Sequence, residues 1–97
     1  MTITGTVALI TGGKRIGSIV AIALAQAGAD IALVYNRSRD EADQTVAAVK
    51  ALGRRAIAVQ ADVTDEQACI GAVNATVREL GRLDILINMA SLYVAKP

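Results

Sequence analysis

An apolar run, a glycine-rich turn and an amphipathic stretch follow one another between Val7 and Leu24. Residues 7–10 are too few for a helix and indicate a buried strand, whereas apolar residues recur at helical spacing over 16–27. The first turn of a helix has unpaired N–H groups and a partial positive charge, and no Asp or Thr stands just before this helix to cap it. The junction therefore predicts a phosphate-binding turn, in which glycine allows close backbone approach.

A glycine-rich turn between a strand and a helix also occurs in proteins where it binds nothing. The rest of the sequence is therefore needed to judge whether this turn binds a phosphate. Strand patterns recur at residues 31–35, 56–60 and 83–87, and helical patterns lie between them at 39–52 and 65–80. Ser38 with Glu41, and Thr64 with Gln67, fit capping boxes at the starts of these two helices.

Strict alternation of strands and helices predicts an α/β fold with a parallel sheet and right-handed crossovers. Aromatic residues are 2% of the chain, so the core must consist of Ala, Val, Ile and Leu, as is typical of a parallel sheet between helices. We expect a Rossmann-type doubly wound sheet with strand order 3-2-1-4, the first two helices on one face and the third on the other. Ligands bind such sheets beyond the carboxyl ends of the strands, where the order reverses.

The fourth strand is expected at one edge of this sheet, although Ile85-Leu86-Ile87 has the composition of a strand buried on both faces. An open apolar edge favours aggregation. We therefore expect residues 1–97 to be the N-terminal half of a single dinucleotide-binding domain, incomplete at the strand 4 edge. Further strands would pack there, from a continuing chain, a nicked piece or a partner.

Loops at the carboxyl ends of all four strands carry the candidate cofactor-binding residues. Together they would surround one crevice. They are Gly12, Gly13, Lys14, Arg15, Ile16, Gly17, Asn36, Arg37, Ser38, Ala61, Asp62, Val63, Asn88, Ala90 and Ser91.

The turn after the second strand predicts the choice of nucleotide. Folds that select NAD place an acid there for the ribose 2′-hydroxyl, but here the turn is Asn36-Arg37-Ser38. Arg37 offers a planar fork suited to a phosphate, Ser38 offers a hydroxyl, and Lys14 and Arg15 add positive charge. The sequence therefore predicts NADPH/NADP+ rather than NADH, the alternative for Arg37 being a solvated turn residue.

Two other candidate residues, Asp62 and Asn88, also have a purely structural interpretation in place of cofactor binding. Asp62 is suited to accept a hydrogen bond from the adenine amino group while Val63 packs on the ring, or else it is a turn acid beside Thr64. Asn88 is suited to bridge backbone groups across the switch point, or else it is a turn former. Ala90 is small enough for the ribose to lie close.

Charge and cysteine content exclude several classes of partner. The net charge of +1 predicts no binding to nucleic acid or to a membrane surface, and no metal site is expected. Residues 1–6 lack the basic cluster of a secretory signal, and the apolar run at 19–25 is too short to span a bilayer. The single Cys69 cannot form an internal disulfide, so a reducing, cytoplasmic location is expected.

Several motifs together resemble the N-terminal half of the classical short-chain dehydrogenase/reductase family. They are Thr11-Gly12-Gly13 with Gly17, then Asp62-Val63, and the run from Asp84 to Ser91. Lys14-Arg15-Ile16-Gly17, Asn36-Arg37-Ser38 and Ala90-Ser91 look like the pteridine reductase branch, although 3-oxoacyl carrier-protein reductases and sugar dehydrogenases look similar here. Two features depart from the family pattern: the glycine loop is one residue short, and Met89 replaces an asparagine.

The resemblance implies an oxidoreductase that transfers hydride from NADPH to a carbonyl or imine of a small-molecule substrate, with a tyrosine as proton donor. The family's catalytic Ser, Tyr and Lys fall beyond this chain, since Arg39 and Pro97 stand four residues after Tyr35 and Tyr93. No catalytic residue is therefore assigned. A homo-oligomer is implied for a full-length protein. The alternative is a non-catalytic NADP(H)-binding or redox-sensing module, while Asn36-Arg37 argues against a methyltransferase.

Overall fold

The structure, a computed structural model, describes residues 3–12 and 14–89. Within them, strands and helices alternate, with the bounds β1 (Val7–Thr11), α1 (Lys14–Gln26), β2 (Asp30–Tyr35), α2 (Arg39–Ala51), β3 (Ala56–Gln60), α3 (Glu66–Leu80) and β4 (Ile85–Asn88). All strand pairs are parallel, and the sheet order is β3-β2-β1-β4. The predicted doubly wound, Rossmann-type arrangement is confirmed.

Each face of the sheet has its own apolar layer. Because successive side chains of a strand point to opposite faces, Ala8 and Ile10 of β1 pack with α1 and α2, whereas Val7 and Leu9 pack with α3. Small alanines on the helices let them lie close to the sheet. The first two helices thus share one face and the third covers the other, as the sequence predicts.

Carboxylates fix the amino ends of the strands, opposite the predicted site. Asp84 Oδ2 accepts the Val7 N–H at 2.9 Å and the Arg82 Nε–H at 2.8 Å. These hydrogen bonds, that from Arg82 foremost, hold the pKa of Asp84 below its usual value. They secure β4 against β1 and so fix where the carboxyl end of β4 lies.

Both predicted capping boxes are wrong. Ser38 precedes α2, but with φ −92° and ψ 60° its side chain makes no cap hydrogen bond within the described residues. Asp65, not Thr64, precedes α3, and its carboxylate accepts the Gln67 N–H at 3.0 Å. Thr64 is instead held in the preceding turn by Asp62. A shift of one residue is enough to exchange the capping side chain.

Candidate functional site

The glycine turn joins β1 to α1 through only two residues. Gly12 has a φ of +67°, which disfavours any residue with a side chain, and its N–H donates to the Val34 carbonyl at 3.1 Å. Because the loop is short, α1 begins at Lys14 rather than at the predicted Ile16. Arg15 therefore lies in the first turn of the helix, and the Ile16 side chain is 59% exposed.

Gly17 allows the first turn of α1 to approach this loop. A Cβ built on Gly17 would overlap the carbonyl oxygen of Gly12. The helix start and the end of β1 are therefore held together at a distance that only glycine permits. The start of α1 therefore lies close to the carboxyl end of β1, and the N–H groups of a helix start form a site for an anion.

The turn after β2 lines a cleft of about 250 Å³, here named the β2 cleft. Its apolar lining includes Leu33 and Ala42. Its polar lining comes from the three predicted turn residues, the glycine turn and the start of α2: Gly12, Asn36, Arg37, Ser38, Glu41 and Thr45. Gln60 at the end of β3 fixes the turn, since its side-chain amide donates to the Asn36 carbonyl at 3.1 Å. The glycine turn and the candidate phosphate-binding arginine thus share one cleft.

A second cleft of about 250 Å³, the β4 cleft, opens on the α3 face of the sheet. Three predicted site residues, Ala61, Val63 and Asn88, line it with the apolar Leu86. The loops that the sequence places around one crevice are therefore divided between two clefts. The two clefts share Val34, which packs in the α3-side layer. This division results from the doubly wound topology, because the loops leave the sheet towards opposite faces.

A side-chain hydrogen bond joins β1 and β4 where the strand order reverses. The Thr11 hydroxyl donates to Asn88 Oδ1 at 2.7 Å. The Asn88 side chain thus links β4 to β1 at the switch point through the Thr11 hydroxyl. The sequence indicated Thr11 in the glycine-turn motif but not among the site residues, although a polar residue ending an apolar strand beside that turn was the available signal.

Asp62 is held by its own turn. Its Oδ1 accepts the Thr64 hydroxyl at 2.6 Å and the Thr64 N–H at 2.9 Å. These two hydrogen bonds, the hydroxyl first, lower the pKa of Asp62 from its usual value, and the charge of Arg37 adds a smaller lowering. Asp62 therefore has the turn role that the sequence left open, and its contact with adenine stays a prediction.

A smaller cavity, the α1–α2 notch, lies beside the β2 cleft and is lined by Arg15, Ser18, Glu41 and Thr45 among others. The buried Thr45 hydroxyl lies 2.9 Å from Ser18 Oγ and ties the two helices together. Glu41 and Thr45 line both cavities, so Glu41 borders the notch lined by Arg15 and the cleft lined by Arg37. The sequence assigned Glu41 only to a cap and did not single out Thr45.

Some predicted site residues lie outside the part that the structure describes: Gly13, Ala90, Ser91 and the side chain of Lys14. In residues 3–12 and 14–89, no group of acidic, Cys or His side chains has the arrangement of a metal site. No helix in those same residues has the length and apolar character needed to cross a bilayer.

A family model for short chain dehydrogenase matches residues 6–97. The chain belongs to the short-chain dehydrogenase/reductase family. It is 41% identical over 96 residues to hydroxynaphthalene reductase arp2 of Aspergillus fumigatus, a match that covers 98% of this chain and 35% of that protein. It is 39% identical over 93 residues to the short-chain dehydrogenase/reductase homolog YusS of Bacillus subtilis, covering 95% of this chain and 85% of YusS. The chain spans about a third of the length of the first curated relatives it matches.

Solved structures of this family have the same fold. A Serratia marcescens short-chain dehydrogenase/reductase mutant superposes with a TM-score of 0.88 at 38% identity, over 96% of this chain and 38% of that one. A putative dehydrogenase of Burkholderia cenocepacia with bound NADP matches at 0.84 and 36%, over 90% and 34%. An NAD+-bound xylitol dehydrogenase matches at 0.81 and 37%, over 89% and 33%. Both nicotinamide cofactors therefore occur among the structural neighbours.

Proposed function

We propose that this chain is the NADP(H)-binding half of a short-chain reductase that acts on a carbonyl or imine of a small molecule. The observation that carries the proposal is the β2 cleft, where Arg37 and Ser38 stand beside the glycine turn at the end of β2. Arg37 is exposed and its guanidinium fork fits a 2′-phosphate. The position after β2 holds Asn36 rather than the acid that favours NAD.

The chain's own residues account for binding rather than for chemistry. Bound nicotinamide supplies the hydride in this family's reactions. The N–H groups at the start of α1 would hold the diphosphate, Arg37 the 2′-phosphate, and the β4 cleft the adenine beside Val63. None of the cofactor-binding residues proposed here is assigned the donation of the proton. We also propose a cytoplasmic location, which the single, partly buried Cys69 supports. A homo-oligomer is proposed as well, because members of this family usually form oligomers.

Replacing Arg37 with alanine should weaken NADPH binding and leave NADH binding nearly unchanged. A charge-assisted phosphate contact is worth about 1.5–3 kcal/mol, so the Kd for NADPH should rise about tenfold to a hundredfold. Fluorescence or calorimetric titration of both cofactors measures this directly. Arg39→Ala is the matched control, because the Arg39 side chain is 75% exposed and pairs with Asp43 at 3.6 Å. An equal loss for both cofactors in Arg37→Ala would refute the NADPH assignment.

We further propose that additional strands cover the β4 edge. Leu86 is 62% exposed, and the β4 cleft joins it to Val73 on α3. Ile70 and Val77 lie on the same flank of α3 as Val73 and are 45% and 44% exposed. Soluble monomers seldom leave such contiguous apolar side chains open beside an unpaired strand. These residues therefore support the proposal that the domain continues beyond this half.

A substitution at Leu86 tests that proposal. In a longer polypeptide that includes these residues, Leu86→Lys should lower the free energy of unfolding by about 3 kcal/mol, because it would bury an unpaired charge. Leu52→Lys is the control, since Leu52 at the end of α2 is 43% exposed and should tolerate the change. Denaturant unfolding measures both variants. If the two substitutions are tolerated equally, the edge is open and the proposal is wrong.

A second candidate is a non-catalytic NADP(H)-binding or redox-sensing module. The similarity to YusS favours it, because this chain covers 85% of that homolog rather than a third. The two candidates share the cofactor site and differ only in whether catalytic residues lie beyond it in the chain. A Tyr-x-x-x-Lys motif in sequence continuing past Pro97 supports the reductase. Cofactor binding without turnover of any carbonyl substrate supports the module.

A further inference from the structure

Glu41 lines the same cleft as Arg37 and Ser38. A capping box would have turned this side chain back onto the start of α2. Ser38 does not form that cap within the described residues, and Glu41 lines the β2 cleft and the α1–α2 notch instead. An exposed acidic residue thus borders both the notch that Arg15 lines and the cleft where Arg37 is proposed to bind the 2′-phosphate of the cofactor.

We propose that Glu41 is a second determinant of cofactor choice and acts against Arg37. A 2′-phosphate held by Arg37 would share its cleft with the Glu41 carboxylate, and like charges repel. A ribose with a free 2′-hydroxyl brings no charge, and that hydroxyl can donate a hydrogen bond to a carboxylate. Arg37 therefore favours NADPH, Glu41 favours NADH, and their opposition limits the preference for NADPH. This inference rests on the proposed function, since it needs a dinucleotide in the β2 cleft.

Glu41→Gln removes the charge and nearly preserves the shape of the side chain. The Kd for NADPH should fall about threefold, as expected for one unit charge near a solvated ion pair, while the Kd for NADH should stay constant or rise. The ratio of the two Kd values therefore shifts towards NADPH. Because exposed charges more than about 10 Å apart are screened at 0.1 M salt, the shift should shrink as salt is raised.

Asp40→Asn is the matched control. Asp40 and Glu41 both lie in the first turn of α2, so both substitutions remove one negative charge from the same helix start. Asp40 is exposed and is not among the described residues that line either cavity. Asp40→Asn should therefore leave the NADPH-to-NADH ratio within about 1.5-fold of that of the unmodified protein, because it faces solvent.

Titration of both cofactors to the unmodified protein and the two variants decides between these outcomes. A salt-sensitive shift towards NADPH in Glu41→Gln alone supports the assignment. An unchanged ratio in Glu41→Gln, or an equal shift in Asp40→Asn, overturns it while leaving the proposed function intact. Failure of the unmodified protein to bind either cofactor overturns the proposed function, and the role of Glu41 with it.

Discussion

Gly17→Ala should destabilise the protein by about 3 kcal/mol and reduce NADPH affinity more than tenfold. The added Cβ would overlap the Gly12 carbonyl oxygen, which is backbone and cannot rotate away as a side chain does. Relief requires the start of α1 to move away from the end of β1, and that movement displaces the N–H groups proposed to hold the diphosphate. Denaturant unfolding measures the first effect and NADPH titration the second.

Gly71→Ala is the matched control for this substitution. Gly71 lies within α3, and among the described residues no atom would lie within 4 Å of an added Cβ. Alanine in an open helical position should stabilise by about 0.5–1 kcal/mol, because glycine loses more backbone freedom on folding. If Gly17→Ala behaved like Gly71→Ala, the close contact between helix and loop would be wrong.

Asp30→Asn should lower the free energy of unfolding at neutral pH by about 2–3 kcal/mol. Asp30 is 4% exposed at the amino end of β2. Its carboxylate lies 3.0 Å from Arg54 Nη2 and accepts the backbone N–H of Arg55 at 2.9 Å and its Nε–H at 3.0 Å. The Arg55 side chain is 60% exposed, so water offsets part of the loss and the effect stays below that of a fully buried pair.

The lowered pKa of the Asp30 carboxylate leads to a prediction for how the stability of the protein depends on pH. Burial on its own raises the pKa of Asp30, but the hydrogen bonds from Arg55 and the charges of both arginines outweigh it and leave the pKa below its usual value of 3.8. A lowered pKa in the folded state contributes stability above the unfolded pKa and loses it as pH falls through the folded value. Asp30→Asn should therefore flatten the loss of stability below about pH 4.

Asp43→Asn is the control for the charge effect. The Asp43 side chain is 58% exposed and faces Arg39 at 3.6 Å, so its removal should change stability by less than about 0.5 kcal/mol. Urea unfolding at several pH values compares the two variants with the unmodified protein. If the free energy of unfolding of Asp30→Asn falls with pH as steeply as that of the unmodified protein, the carboxylate does not control that loss of stability.

The architecture was predictable because two periodicities are strong in this sequence. The apolar run of β1 and the helical spacing after Gly12 fix where the chain changes from strand to helix. The right-handed crossover then determines which face each helix covers. The sequence also placed the apolar run Ile85-Leu86-Ile87 on an edge strand, and Leu86 is 62% exposed there.

The helix caps were not predictable, because capping depends on backbone angles that sequence spacing does not determine. Ser38 has the right side chain at the right position, yet its ψ of 60° keeps the hydroxyl from capping α2. Asp65 caps α3 in place of Thr64 because the helix begins one residue later than expected. The backbone angles of Ser38 also explain why Glu41 was assigned to a cap rather than to the β2 cleft.

The sequence predicted which loops carry the candidate residues but not the division of these residues between two clefts. Asn36, Arg37 and Ser38 gather with Gly12 in the β2 cleft, whereas Val63 and Asn88 lie in the β4 cleft. Contacts across the sheet, such as the Thr11 hydroxyl on Asn88, join residues far apart in sequence and leave no local signal. The likeness to the pteridine reductase branch stays a prediction, because it rests partly on Ala90 and Ser91, outside the described residues.

A crystal structure of the protein with NADPH tests the central claim most directly. The measured quantity is the distance from the Arg37 guanidinium to the cofactor's 2′-phosphate, with the diphosphate located in the same map. We predict hydrogen-bond contact, about 2.7–2.9 Å, and a diphosphate over the start of α1 beside Gly12. A diphosphate bound elsewhere, or a 2′-phosphate beyond the reach of Arg37, would contradict that claim.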